Sequence, residues 1–229
     1  TDSNRSIATF AVTTLLKTGT EESVDRLISQ IGSLFGDISD EFKIIVVEAI
    51  HSLCNKFPSK QATMIEFLLT ILRQEGGLPF KQAAVNSVLD LLAGNPNMKE
   101  SVISSLTEYI EDCEFPQITI QILHLLGNEV SSLSTPSKFI RIIYNRLLLE
   151  GPLVRIAATS ALFRIGMLSR SSMHHPDSLS QQVMTLLTRS IELDEDDEVR
   201  ETAQLYFGIL KDLSLNSPQQ FIPITTASN

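Results

Sequence analysis

The sequence predicts an all-α fold, an α-solenoid of about five helix pairs preceded by one unpaired helix. Three observations carry this expectation. Apolar residues recur at helical spacing in segments of ~14–18 residues. Short Gly, Pro, Ser or Asp punctuation separates the segments. One residue pattern returns in every second segment, with a period near 38 residues. The chain has 229 residues, of which 43% are hydrophobic and 20% charged, so it carries enough apolar surface to fold rather than remain disordered.

The spacing predicts helices over 4–17, 21–35, 40–56, 60–74, 79–93, 97–111, 116–128, 136–149, 152–167, 177–192 and 196–212. Gly19, Gly76-Gly77, Gly94 and Gly127 suit helix C-termini, where a residue without Cβ closes the last turn. Pro79, Pro116 and Pro152 suit first-turn positions, because proline lacks a donor that the helix start leaves unused anyway. Ser39-Asp40, Ser59 and Asp177 can accept hydrogen bonds from N-terminal amides. The β-branched run Ile44–Val47 invites a strand. However, Phe42, Val46, Ala49, Ile50 and Leu53 share one helical face, which favours helix.

Alternate helices begin with a basic residue and carry small or apolar residues three, six and ten positions later. Arg5 precedes Ala8, Ala11 and Leu15; Lys43 precedes Val46, Ala49 and Leu53; Lys81 precedes Ala84, Ser87 and Leu91. Arg155 precedes Ala158, Ala161 and Ile165, and Arg200 precedes Ala203, Tyr206 and Leu210. Successive basic residues lie 38, 38, 74 and 45 positions apart, so one member is missing near Gln117 or Ile118. The extra residues of the last interval map to the loop Ser171–Pro176. Small residues suit a helix packed closely on two sides, and a two-helix period of this length is the signature of HEAT or armadillo-like repeats. The chain starts inside a second helix and without an initiator Met, which points to a piece of a longer array.

Several function classes fit poorly. Lys and Arg number 18 against 27 Asp and Glu, a net charge of −9, which repels phosphate backbones and argues against nucleic acid. Aromatics are 6% with no Trp, a poor platform for stacking on sugars or bases. No apolar run approaches the ~18 residues of a membrane-crossing helix, and no basic stretch followed by an apolar one opens the chain. Cys54 and Cys113 have no CxxC or Cys/His company and read as thiols of a reducing, cytosolic compartment.

The candidate constellations reduce to ordinary structural roles. The acidic run Glu192–Glu198 lacks the glycine of a calcium loop and leads into a helix, whose positive end its carboxylates stabilise; the alternative is that this acidic turn docks a basic partner surface. His174-His175 has no third ligand and reads as a solvated loop. His51 and His124 sit within helices and are expected to face neighbouring helices. His51 shares a face with Cys54, but no Asn or Asp completes a nucleophilic site. Asn4-Arg5-Ser6 matches a glycosylation acceptor only as a chance triplet. With no P-loop, GxGxxG, GxSxG or HExxH, the sequence supplies no catalytic, cofactor-binding or metal-binding residues. It predicts a non-enzymatic surface that holds other proteins, with its partner-binding residues undetermined.

A more specific likeness rests on ordered blocks. Asp40-Glu41-Phe42-Lys43, Val46-Val47, Ala49-Ile50 and Leu53-Cys54 with Lys56 and Pro58 resemble a segment of the coatomer gamma subunit family. So do Phe67-Leu68, Leu72-Arg73 with Glu75-Gly76-Gly77, Ile110–Phe115 and Ile122–Gly127. Ile143–Arg146, Leu149-Glu150 and Val154-Arg155 continue the likeness, which spans roughly residues 3–213. It corresponds to the later part of that family's N-terminal helical trunk, itself similar to clathrin-adaptor large-subunit trunks.

The resemblance implies a scaffold subunit of the COPI vesicle coat, serving Golgi-to-ER and intra-Golgi transport. The implied partners are the zeta subunit, other coatomer subunits and an Arf-family GTPase. The implied location is the cytoplasm, peripheral on Golgi membranes and coated vesicles. No Arf or zeta contact can be carried onto a residue here. On this reading residues 1–213 are trunk and 214–229, with Pro218 and Pro223, begin a linker, although Phe221, Ile222 and Ile224 could pack on the last helix. The alternatives are a clathrin-adaptor trunk or an unrelated HEAT-repeat scaffold.

Overall fold

The computed structural model describes Thr14 and residues 19–169 and 176–215. Ten α-helices and no strand occur among the described residues. They are α1 (Val24–Leu34), α2 (Asp40–Lys56), α3 (Gln61–Leu72), α4 (Leu78–Ala93), α5 (Lys99–Tyr109), α6 (Pro116–Glu129), α7 (Pro136–Leu149), α8 (Pro152–Ser169), α9 (Pro176–Leu193) and α10 (Asp197–Leu215). In chain order the ten alternate as first and second members of a two-helix repeat, so the all-α repeat expectation holds. The initial helix at 4–17, the Arg5 pattern, the 171–175 loop and the tail beyond 215 lie outside the described residues.

The chain divides into two compact units, one up to Ile122 and one from Leu123. In the first, α3 packs against α1, α2, α4 and α5, and α2 packs along α4. In the second, α8 lies between α7, α9 and α10, and α10 also packs on α9. Second helices thus lie beside second helices, as a repeat requires. The positions three, six and ten after the basic residues explain the packing. Val46, Ala49 and Leu53 are buried on α2, Ala84, Ser87 and Leu91 on α4, and Ala158, Ala161 and Ile165 on α8. On α10, Ala203 and Leu210 are buried, while Tyr206 stacks on Phe163 of α8 with centroids 4.3 Å apart. Ile44–Val47 is helical, as its one-sided face predicts.

The punctuation is corrected in four places. Ser39 takes the N-cap position of α2 but its side chain accepts no cap hydrogen bond, and the Asp40 carboxylate accepts the Gly77 amide rather than one of its own helix. Gly127 does not cap α6; it lies inside the helix, and a Cβ there would come 2.9 Å from the Cα of Ala161 on α8. The glycine is needed for close helix approach, not for chain reversal. Gly76-Gly77 does not close α3, which ends at Leu72; Gly77 occupies the N-cap of α4 in extended conformation. Ser59 lies within the 3-10 turn Pro58–Lys60, and its Oγ donates to the Glu21 carboxylate instead of capping α3. Pro79, Pro116 and Pro152 do sit in first turns, joined by Pro136 and Pro176.

Candidate functional site

Among the described residues, each recurring basic residue reaches a turn that joins two successive helices. Helix C-termini leave carbonyls without intrahelical donors and carry the negative end of the helix dipole, so a cation there is doubly favoured. The Lys81 ammonium on α4 donates to the carbonyls of Leu72 and Gln74, at and just past the end of α3. Lys43, one repeat earlier on α2, donates to the Glu75 carbonyl of the same turn at 2.7 Å. One turn is therefore held from its own second helix and from the preceding one.

The second unit repeats the device with guanidinium groups. Arg200 on α10 donates to the Asp194 carbonyl at 2.8 Å and pairs with the Asp197 carboxylate. Arg155, on α8, pairs with the Asp194 carboxylate at 3.2 Å. The aspartates of the acidic run are thereby explained: Asp194 is held by the repeat arginines, Asp197 pairs with Arg200, and the Asp196 carboxylate accepts the Val199 amide at 3.1 Å as N-cap of α10. No cluster suited to a metal ion occurs among the described residues.

Electrostatics follow from this burial. Lys81 and Lys43 are only 6% and 5% exposed. Burial holds the Lys81 pKa below its usual value, with the nearby Cys113 opposing that shift. Lys43 also lies over the Phe35 and Phe80 rings, 5.7 and 5.5 Å from their centroids. Asp40 accepts the Gly77 amide at 2.5 Å. That bond, aided by Lys43 and opposed by burial, holds its carboxyl below the usual range. Burial pushes the Tyr109 phenol up.

The missing member of the series is Ile118. It is fully buried at the start of α6, the helix in which the chain passes from one unit to the other. The preceding turn is closed locally instead, with the Phe115 carbonyl accepting the amides of Ile118 and Thr119 at 3.0 and 3.2 Å.

Between successive turns lies a groove, floored by the basic residue. In the first unit it measures about 540 Å³ and runs between the α3–α4 and α5–α6 turns over Lys81 and Tyr109. Its rim is acidic, with Glu75, Asp112 and Glu114 exposed, and Arg73 pairs with Glu108 across it at 3.1 Å. In the second unit a groove of about 320 Å³ runs between the α7–α8 and α9–α10 turns. Tyr144 and Leu148 line one wall, Arg189 and Leu193 the other, with the Arg155–Asp194 pair between them. Leu148 and Leu193 are 60% and 73% exposed.

Sequence reasoning missed both grooves, but a signal for the second existed. Leu147, Leu148 and Leu149 are consecutive, and three successive helical residues span about 200° of azimuth, too wide for one buried stripe. Only Leu147 is buried. His124 is also corrected: it is exposed and faces no neighbouring helix, because Ile118, Ile122, Leu123 and Leu126 define the buried side of α6. His51 is half-buried one turn before Cys54 on α2, and burial pushes the Cys54 thiol up to about 12, which disfavours the thiolate. His174-His175 lies outside the described residues.

The paired helices, the close-packed alanines and the clamped turns define a helical-repeat scaffold, and residues 1–214 match the family model "Adaptin N terminal region". The chain belongs to that family. Within it, the chain is similar to coatomer gamma subunits. It is 48% identical over 229 residues to coatomer subunit gamma-2 of Xenopus tropicalis, covering 99% of this chain and 25% of that protein. It is 52% identical over 209 residues to coatomer subunit gamma-2 of Oryza sativa subsp. japonica, covering 91% and 23%. It is 47% identical over 211 residues to coatomer subunit gamma-1 of Homo sapiens, covering 92% and 23%. The chain thus spans about a quarter of the length of these relatives. Among the described residues, no helix is long and apolar enough to cross a membrane.

Proposed function

We propose that the chain is part of the trunk of a COPI coat subunit and acts as a non-catalytic scaffold through protein–protein contacts. The observation that carries this reading is identity near one half to coatomer gamma subunits over nearly the whole chain, on a fold whose charged repeats are spent holding its own turns. Side chains that fix a rigid repeat serve to present a surface, not to turn over a substrate.

On this reading the partners are the zeta subunit, other coatomer subunits and an Arf-family GTPase. The work is Golgi-to-ER and intra-Golgi transport, from the cytoplasm and peripherally on Golgi membranes and coated vesicles. Residues 1–213 belong to the later part of the trunk and 214–229 begin the linker beyond it. The experiment is co-purification of the full-length protein with zeta and, separately, with clathrin-adaptor small subunits. Retention of zeta alone is the expected result. Retention of a clathrin-adaptor small subunit in its place overturns the coat assignment in favour of a clathrin-adaptor trunk.

A further inference from the structure

We propose that the groove between the α7–α8 and α9–α10 turns docks a segment of a partner protein. That segment seats one branched apolar side chain between Leu148 and Leu193 and sets a carboxylate on Arg189. This rests on the chain being a protein-binding scaffold, but not on which coat subunits surround it.

The apolar part of the argument is exposure. Leu148 and Leu193 face each other across the groove at 60% and 73% exposure, and Leu149 and Leu153 extend the patch along the α7–α8 turn at 73% and 71%. Clustered exposed leucines beside a concavity mark a contact surface, whereas scattered ones do not.

The polar part is unspent donors. Ser190 lines the groove at 5% exposure, and its Oγ has no hydrogen-bond partner. The Arg155 Nε–H is also unpartnered, although the same guanidinium holds Asp194. Buried polar groups without partners are uncommon and costly. Arg189 is exposed at the rim, and no carboxylate among the described residues pairs with it. The buried unspent groups, Ser190 Oγ and Arg155 Nε, can both donate, and Arg189 offers a cation. The complementary ligand therefore brings backbone carbonyls and one carboxylate set on Arg189, away from the exposed Glu195 of the same lining. A cavity of about 320 Å³ takes a side chain and a few backbone atoms, not a whole helix. The equivalent groove of the first unit lacks exposed leucines and has an acidic rim, so the repeat alone does not create this chemistry. An anionic bilayer fits less well than one carboxylate seated on Arg189, because an extended anionic sheet would also meet the exposed Glu192 and Glu195 and a chain of net charge −9.

The test uses the full chain labelled with nitrogen-15 and three peptides: Gly-Ser-Asp-Leu-Ser-Gly-Ser, its Lys-for-Asp counterpart and its Ala-for-Leu counterpart. The Asp-Leu peptide is expected to shift the amides of Tyr144, Ser190 and Leu193, and to bind at least about fivefold more tightly than the other two. Arg189→Glu should invert the preference between the Asp and Lys peptides. Leu193→Ser should weaken binding about fivefold without moving the melting temperature, since the side chain is exposed. Equal binding of the three peptides, no titration at millimolar concentration, or an unchanged preference in Arg189→Glu overturns the proposal. So does retention on vesicles of equal parts phosphatidylcholine and phosphatidylserine that Leu193→Ser abolishes, because the patch would then serve a membrane.

Discussion

Replacing Lys81 by Met tests whether the periodic cations hold the turns. Met keeps the length and most of the apolar stem of lysine, so little packing is lost and the ammonium alone is removed. The Leu72 carbonyl then loses its donor where the bond is buried, while the Gln74 carbonyl is half-buried on the groove and can turn to water. An unsatisfied buried acceptor costs about 1–3 kcal/mol. That loss, together with the lost charge at the C-terminal end of α3, is partly offset by the relief of no longer burying a cation. The expected net loss is about 1–3 kcal/mol.

The control is Arg73→Met, which removes the Arg73–Glu108 pair in the same groove. Its side chains are 51% and 55% exposed, so the expected loss is only about 0–1 kcal/mol. Thermal melting ranks the two variants, and hydrogen exchange at residues 72–81 localises the lesion. Because the chain forms two units, the exchange data guard against assigning a two-state value to a stepwise transition. A Lys81→Met loss no larger than that of Arg73→Met would show that the series is decorative.

Three further outcomes follow from the same packing. Gly127→Ala should destabilise by about 1–3 kcal/mol by melting, and Ala161→Gly should not rescue it, because the new Cβ meets the Cα of Ala161, 2.9 Å away, and not only its methyl. Rescue by that second substitution would place the conflict elsewhere. Ala158→Glu and Ala161→Glu each put a charge at a fully buried position, and a loss of about 3–5 kcal/mol is expected; unchanged melting in both variants refutes the packing of α8. The lowered carboxyl of Asp40 stabilises the fold fully above the unfolded pKa of about 3.9, and this contribution fades as pH falls through the folded value. Asp40→Asn should therefore flatten the acid limb of stability against pH, and an identical acid limb in both proteins counts against the Gly77 and Lys43 contacts.

The helices were legible because their information is local. The one-sided faces of α2 and α8, the first-turn prolines and the small residues after each basic position all speak through spacing within one segment. The partners of the basic residues were not legible. Lys43 reaches a carbonyl 32 residues away, and a backbone carbonyl leaves no mark in the sequence of the turn that bears it. Gly127 was misread for a related reason. A glycine closing a helix and a glycine admitting a neighbour look alike until the neighbour, Ala161, is in place. The grooves depend on two turns separated by a full repeat, so their chemistry emerges only when Leu148 and Leu193 are brought to opposite walls.

The two grooves separate what the repeat requires from what it leaves free. Both have a basic residue at the floor, tied to its turns by hydrogen bonds or an ion pair, and Lys81 and Arg155 hold that place with different chemistry. The rims differ: the first groove carries several exposed carboxylates and no leucine, while the second carries exposed leucines and a guanidinium without an ion pair beside Glu195. Rim side chains contribute little to the stability of the stack, so they can differ between repeats without loss of fold. A scaffold built in this way keeps its period in the buried positions and its recognition in the exposed ones. The period was therefore readable from residue spacing, and the exposed chemistry of the grooves became visible only once the turns of each unit were placed side by side.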